Sequence, residues 1–175
     1  MDSTLSGFLM VETSRRNTDL IAGLVYQKPE LFKELVEIYL ENVEPVSRRA
    51  VWVIDTVSEK LPHLLEPYLK LIIERLPDFN HDGLKRNSLR MLTRYPIPKD
   101  QQGLLLKICF DWLIAPAESV AVKVYAMEIL YRLSQEEPDL KKELADSIEW
   151  RMQEETAGFR ARGVKTLKKL YREMR

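Results

Sequence analysis

The sequence is poor in cysteine, in glycine and in net charge. Its 175 residues include one cysteine, six glycines and equal numbers of acidic and basic side chains, 27 of each. A single cysteine cannot form an internal disulfide, which favours a reducing compartment, and we expect a cytoplasmic location. So few glycines argue against glycine-rich phosphate-binding loops and against long flexible linkers. Zero net charge argues against a protein that depends on nonspecific attraction to nucleic acid.

Motifs for metal binding, catalysis and membrane insertion are also missing. His63 and His81 are the two histidines, and no cysteine–histidine group has metal-ligand spacing. Cys109 lies in an apolar run, which predicts a small buried side chain. No segment is long and apolar enough to span a bilayer, and the apolar run 7–11 does not fit a signal peptide. We therefore expect no catalytic residues, no metal and no cofactor.

What the sequence does contain is a repeat at intervals of 38, 38 and 37 residues. Each repeat begins with an apolar residue and has a small residue four positions later. A second apolar residue follows the small one after four positions, and a third follows after three more. A period near 40 with this spacing predicts stacked helix pairs in a solenoid, and the small residue lets neighbouring helices approach closely. The four sets are Val46, Ala50, Ile54 and Val57; Leu84, Ser88, Leu92 and Tyr95; Val122, Ala126, Leu130 and Leu133; and Phe159, Gly163, Leu167 and Leu170.

The repeat predicts four helix pairs, each with an outer helix A and an inner helix B. They cover about 29–58, 61–95, 101–135 and 139–174, in one continuous domain over 29–175. The second A helix is predicted as a single helix from Leu61 to Leu76, and Ser119 as an N-cap. Residues 1–28 form an N-terminal segment in which Asp19–Gln27 is predicted as a short capping helix. For residues 1–16 the sequence does not decide between helix and irregular chain.

The repeats resemble the HEAT-repeat, or armadillo-like, family. HEAT units open helix A with a proline and helix B with an aspartate and a Val-Arg pair. Pro29 and Pro62 match the proline, Leu84-Lys85-Arg86 and Val122-Lys123 approximate the pair, and Asp82 is the matching aspartate. The resemblance implies an all-α fold, a right-handed α-α superhelix of about four helix pairs. Small bacterial HEAT-repeat proteins are similar in size, and resemblance to them implies an adaptor or scaffold without an assigned activity.

The outward side of the B helices is rich in basic and aromatic residues, and we name this set the basic stripe. Spacing of three and four places each helix's share on one face. Arginine and tryptophan are enriched at binding hot spots, which makes the stripe the candidate partner-binding surface. Its members are Arg49, Trp52, Thr56, Asn87, Arg90, Arg94, Tyr125, Glu128, Arg132, Arg162, Lys165 and Lys169.

Three interpretations of the stripe stay open at this point. Its charges solvate an exposed face and pair between helices, or they bind an acidic peptide or protein, or they bind a nucleic-acid backbone. A more remote enzymatic alternative comes from resemblance to HEAT-like DNA glycosylases that remove alkylated purines, and it rests on Trp52 and Asp55. We expect a non-enzymatic scaffold that binds an acidic protein partner and is monomeric.

Overall fold

A computed structural model describes residues 4–175, which divide into two compact units. The first extends to Pro96 and the second runs from Ile97 to Arg175. Over the described residues the regular structure is α-helical with short 3-10 segments, and it contains no strand. The all-α prediction is confirmed. That residues 29–175 form one continuous domain stays a prediction.

In the first unit, a long central helix is packed against four others. The described helices are α1 (Thr4–Val11), α2 (Arg15–Gln27), α3 (Leu31–Leu40), α4 (Val46–Lys60), α5 (Leu69–Arg75) and α6 (Asp82–Leu92). The central helix is α4, which packs against α1, α2, α3 and α6. Because α4 has neighbours on several sides, nine of its residues are buried. The predicted B helices of the first two pairs, α4 and α6, are therefore adjacent in the structure.

Of the residues 1–16 whose structure the sequence left open, Thr4–Val11 form a helix, 12–14 are a non-helical connection, and 1–3 lie outside the described residues. Leu5 and Leu9 of α1 are 2% and 1% exposed, so α1 is anchored by apolar packing. Helix α2 begins at Arg15, four residues before the predicted capping helix. Its start is fixed by Ser14, whose hydroxyl accepts a hydrogen bond from the backbone N–H of Asn17 at 3.0 Å.

The prediction of a single helix over Leu61–Leu76 is wrong. This region consists of 3-10 turns at Pro62–Leu64 and Glu66–Tyr68, the short helix α5, and a third 3-10 turn at Leu76–Asp78. Each of the three turns has a proline near its start. A proline beyond the first turn lacks the backbone N–H that an α-helix needs and its ring collides with the preceding turn, so Pro67 interrupts the predicted helix.

The second unit contains two helix pairs at nearly the predicted positions. They are α7 (Lys99–Ile114) with α8 (Val120–Glu136), and α9 (Leu140–Met152) with α10 (Ala157–Glu173). Helix α7 packs on α8, α8 on α9, and α10 on both α9 and α8. Ser119 does precede α8, but its hydroxyl makes no capping bond. The side-chain cap in this unit belongs to Thr156, which accepts from the N–H of Phe159 at 3.4 Å.

The repeat positions form the core, as the spacing predicts. All of them are buried except Val46, which is partly exposed at the first turn of α4. The small positions show why size matters there: a Cβ on Gly163 would lie 2.8 Å from Met152 Sδ and 3.1 Å from Ile148 Cγ2. Ser88 is fully buried and its hydroxyl bonds to that of Tyr39 at 2.5 Å. These contacts set the separation of α10 from α9 and of α6 from α3.

Candidate partner-binding groove

In the first unit, the arginines of the basic stripe are engaged by the protein itself. Arg94 Nη2 lies 2.8 Å from Asp55 Oδ1 and 2.9 Å from Ser58 Oγ. Arg90 contacts two carboxylates of α4, with Nη1 3.4 Å from Asp55 Oδ2 and Nη2 3.0 Å from Glu59 Oε1. These bonds join α6 to α4. For Arg90 and Arg94, pairing between neighbouring helices is therefore what the structure shows.

Asp55, the carboxylate of the glycosylase-like alternative, is buried. Its side chain is 2% exposed and both its oxygens face arginines. Burial raises the pKa of Asp55 above its ordinary value, against the opposing effect of Arg94 and Arg90. A general base has to reach the proton that it removes, and Asp55 is enclosed between α4 and α6. The glycosylase-like interpretation therefore lacks an accessible carboxylate beside Trp52.

The other stripe positions of the first unit offer little polar surface. Asn87 is 6% exposed and Thr56 is 8% exposed, so the prediction that they face solvent is wrong. Spacing places Asn87 on the same face of α6 as the buried Leu84 and Met91. Asn87 is buried because α6 is enclosed around most of its circumference. Arg49 donates from Nη1 to the carbonyl oxygen of Leu9 at 2.8 Å.

In the second unit, four basic members of the stripe line one groove. The groove lies between α8 and α10 and has a volume of about 240 Å³. Arg132 contributes from α8, and Arg162, Lys165 and Lys169 contribute from α10 at intervals of three and four residues. The complete lining is Glu128, Tyr131, Arg132, Arg162, Lys165, Thr166 and Lys169. We name it the basic groove. Tyr125 is partly exposed on α8 but does not line it.

The charges of the basic groove are only partly balanced. Arg162 Nη2 lies 2.6 Å from Glu128 Oε2, which joins α10 to α8. Lys169 Nζ lies 5.0 Å from the centre of the Tyr131 ring, within the range of a cation–π contact. Lys165 is exposed and has no carboxylate partner among residues 4–175. Four cations therefore face a cavity whose lining includes one carboxylate.

A residue that the sequence analysis did not single out as functional, Glu173, fixes one wall of the groove. Glu173 Oε1 accepts from the Tyr131 hydroxyl at 2.5 Å, and Oε2 lies 3.1 Å from both Gln135 Nε2 and Lys141 Nζ. The Tyr131 bond, with those of Gln135 and Lys141, holds the pKa of Glu173 to about 2. A sequence signal existed, because Glu173 is the one acidic residue among seven basic ones in 158–175.

A buried ion cluster holds the helices of this unit together beneath the surface. Glu155 is 8% exposed and contacts the ammonium group of Lys123, which is 2% exposed. Arg151 Nε donates to Glu155 Oε1 at 2.7 Å. Although burial opposes it, bonding to Lys123 and Arg151 holds the pKa of Glu155 below its ordinary value. The cluster connects α8, α9 and the turn before α10.

The part of the chain that the structure describes contains neither a metal-ligand cluster nor a membrane span. No three histidine, cysteine, aspartate or glutamate side chains come together there as a metal site. Cys109 is fully buried, as predicted, and burial raises the pKa of its thiol. None of the described helices combines the length and apolar character that a membrane span requires.

Comparison with known proteins identifies the family. The family model of the HEAT repeat domain matches residues 5–170, so the chain belongs to the HEAT-repeat family. HEAT repeats generally mediate protein interactions or scaffolding, and the family is generally non-enzymatic. No curated protein and no solved structure matches the chain significantly.

Proposed function

We propose that this HEAT-repeat protein binds an acidic segment of a partner protein in the basic groove. The observation that carries the proposal is the convergence of Arg132, Arg162, Lys165 and Lys169 on one cavity. An acidic side chain placed there gains charge-assisted hydrogen bonds, which are about twice as strong as neutral ones. The aliphatic stems of the lysines and the Tyr131 ring supply apolar contact for the rest of the segment.

Two observations favour a peptide over nucleic acid as the ligand. A nucleic-acid surface needs basic side chains spread along a path, because affinity grows with the number of phosphates contacted. In the first unit, Arg90 and Arg94 already bind Asp55, so they are not available for such a path. The four cations of the second unit are also gathered around one cavity of about 240 Å³, which suits one acidic side chain better than a row of phosphates.

The proposal includes a biological setting as well as a ligand. We infer a scaffold that acts in the cytoplasm, and the inference rests on the general role of HEAT repeats in scaffolding and on the single cysteine of the sequence. We further infer that the protein is a monomer, since the exposed side of α10 is strongly polar. Sedimentation of the purified chain measures this directly, and a stable dimer would overturn the monomer inference.

The experiment compares two double charge reversals on the same helix. Lys165→Glu with Lys169→Glu changes the groove, whereas Lys168→Glu with Arg172→Glu changes exposed positions outside it at the same spacing. The probe is a fluorescent peptide library with glutamate at alternate positions, followed by anisotropy. We expect the groove variant to lose binding and the control variant to keep most of it. Equal loss in both variants would show that the groove has no special role.

A further inference from the structure

The cations of the basic groove fall into two groups according to their partners. Arg162 is paired with Glu128 at 2.6 Å. Arg132 lies close enough to Glu136 to add to the effect of Lys99 and Gln102, which hold the pKa of that carboxyl below its ordinary value. Lys165 and Lys169 have no carboxylate partner in the described chain, and Lys169 contacts the ring of Tyr131 instead. Two positive charges, one helical turn apart, are therefore unbalanced.

We propose that the preferred ligand of the basic groove is a phosphorylated side chain, presented by a partner protein as phosphoserine or phosphothreonine. This inference rests on the proposed function and specifies its ligand. A phosphomonoester carries a charge of about −1.5 to −2 near neutral pH and offers three acceptor oxygens. It therefore balances both lysines, whereas a single carboxylate leaves one of them unpaired.

The size of the cavity and the donors around it suit such a group. A volume of about 240 Å³ holds one amino-acid side chain, and it is smaller than the roughly 300 Å³ at which pockets for whole small molecules begin. Arg162 uses one terminal nitrogen for Glu128, and its guanidinium keeps further N–H donors. Lys165 and Lys169 reach the same space on flexible stems, so three residues can share the phosphate oxygens.

The charge pattern also separates a phosphorylated protein from nucleic acid. Each phosphodiester of a nucleic acid carries one charge, so a strand would need sites at regular intervals to match its backbone. Within the basic groove, the unbalanced charge is confined to one turn of α10, at Lys165 and Lys169. A concentrated pair of charges matches one dianion better than it matches a row of monoanions.

The test uses the full chain and three degenerate peptide libraries that differ at one fixed central position. That position is phosphoserine, glutamate or serine, and the flanking positions are randomised. We expect the phosphoserine library to bind about tenfold more tightly than the glutamate library, equivalent to about 1.4 kcal/mol. The phosphoserine affinity should fall as the pH drops from about 7.5 to about 5, because the second pKa of the phosphate is near 6. The glutamate library should change little over that range.

Matched variants of α10 test whether the preference for phosphoserine depends on the lysines of the basic groove. Lys165→Met and Lys169→Met each keep the aliphatic stem and remove the charge, and Lys168→Met removes a charge from the same helix outside the groove. We expect either groove variant to reduce the preference for phosphoserine over glutamate towards unity, and the control to leave it unchanged. A preference that survives in both groove variants would overturn the inference.

The outcomes separate this inference from the proposed function. If phosphoserine and glutamate libraries bind equally, the phosphate inference is wrong while the acidic-segment function stands. If neither library binds, both are wrong. If a single-stranded oligonucleotide displaces the phosphoserine library at comparable concentration, the groove recognises nucleic-acid phosphate and the inference is wrong.

Discussion

Glu173 on α10 accepts a hydrogen bond from the hydroxyl of Tyr131 on α8 at 2.5 Å. The same carboxylate bonds Gln135 and Lys141, so it ties the last turn of α10 to two other elements. The ring of Tyr131 in turn lies beneath the ammonium group of Lys169. Glu173 thus positions one wall of the basic groove without itself lining it.

The effect of Glu173→Gln on peptide binding distinguishes positioning from simple electrostatics. Removing a negative charge beside a basic groove should strengthen the binding of an acidic peptide if only net charge matters. We expect weaker binding instead, because the variant loses the charged acceptor that orients Tyr131 and Lys141. The measurement is anisotropy with the acidic library. Tighter binding by the variant would show that Glu173 does not organise the groove.

The pH dependence of stability follows from the lowered pKa of Glu173. Its value of about 2 lies below the ordinary 4.5, so the folded state favours the charged carboxylate. The stabilisation is complete above about pH 5 and is lost as the pH falls through the two values towards about 2. We expect the difference in melting temperature between the wild type and Glu173→Gln to shrink over that window. A difference that stays constant down to pH 2 would contradict the assignment.

The buried cluster predicts a large loss of stability when its carboxylate is removed. Glu155→Gln leaves the buried Lys123 without a counter-charge and removes the buried partner of Arg151, and we expect a loss of about 3–5 kcal/mol in the free energy of unfolding. Glu154→Gln is the neighbouring control, because Glu154 is exposed and contacts Arg151 at 3.3 Å. Because the Glu154 carboxylate itself is exposed to solvent, we expect its pair with Arg151 to contribute at most about 1 kcal/mol. Urea unfolding measures both, and similar losses would refute the role of the cluster.

The small position of α8 predicts sensitivity to side-chain size. Ala126 is fully buried, and Ala126→Leu should cost about 1–3 kcal/mol of stability through overpacking. Ala161→Leu introduces the same side chain at an exposed position of α10 and should be nearly neutral. Thermal unfolding of the two variants compares them directly. Unchanged stability of Ala126→Leu would count against the repeat register.

Much of the fold follows from local patterns in the sequence. The repeat of apolar and small residues predicts the B helices because each side chain at those positions packs against a neighbouring helix. The interruption of the predicted helix over 61–76 has a visible cause in the sequence, since Pro67 lies within it and Pro77 directly follows it. The start of α2 was likewise marked by Ser14, a good N-cap.

The candidate site was predictable only in part. Helical spacing correctly grouped Arg162, Lys165 and Lys169 on one side of α10, because positions on one helix are related by geometry alone. The pairing of Arg94 with Asp55 joins residues 39 apart, and the bond of Glu173 to Tyr131 joins residues 42 apart. Such pairings depend on how helices pack, so a spacing rule within one helix does not reveal which arginines are already engaged.

The most direct test of the central claim is to map where an acidic ligand binds. Backbone amide resonances of the full chain are followed by NMR while the acidic peptide library is added. We expect the largest shifts in two segments, 128–132 of α8 and 162–169 of α10, which line the basic groove. Shifts confined to the first unit, around Arg49 and Trp52, would contradict the assignment of the groove as the binding site, and so would no shift at saturating peptide.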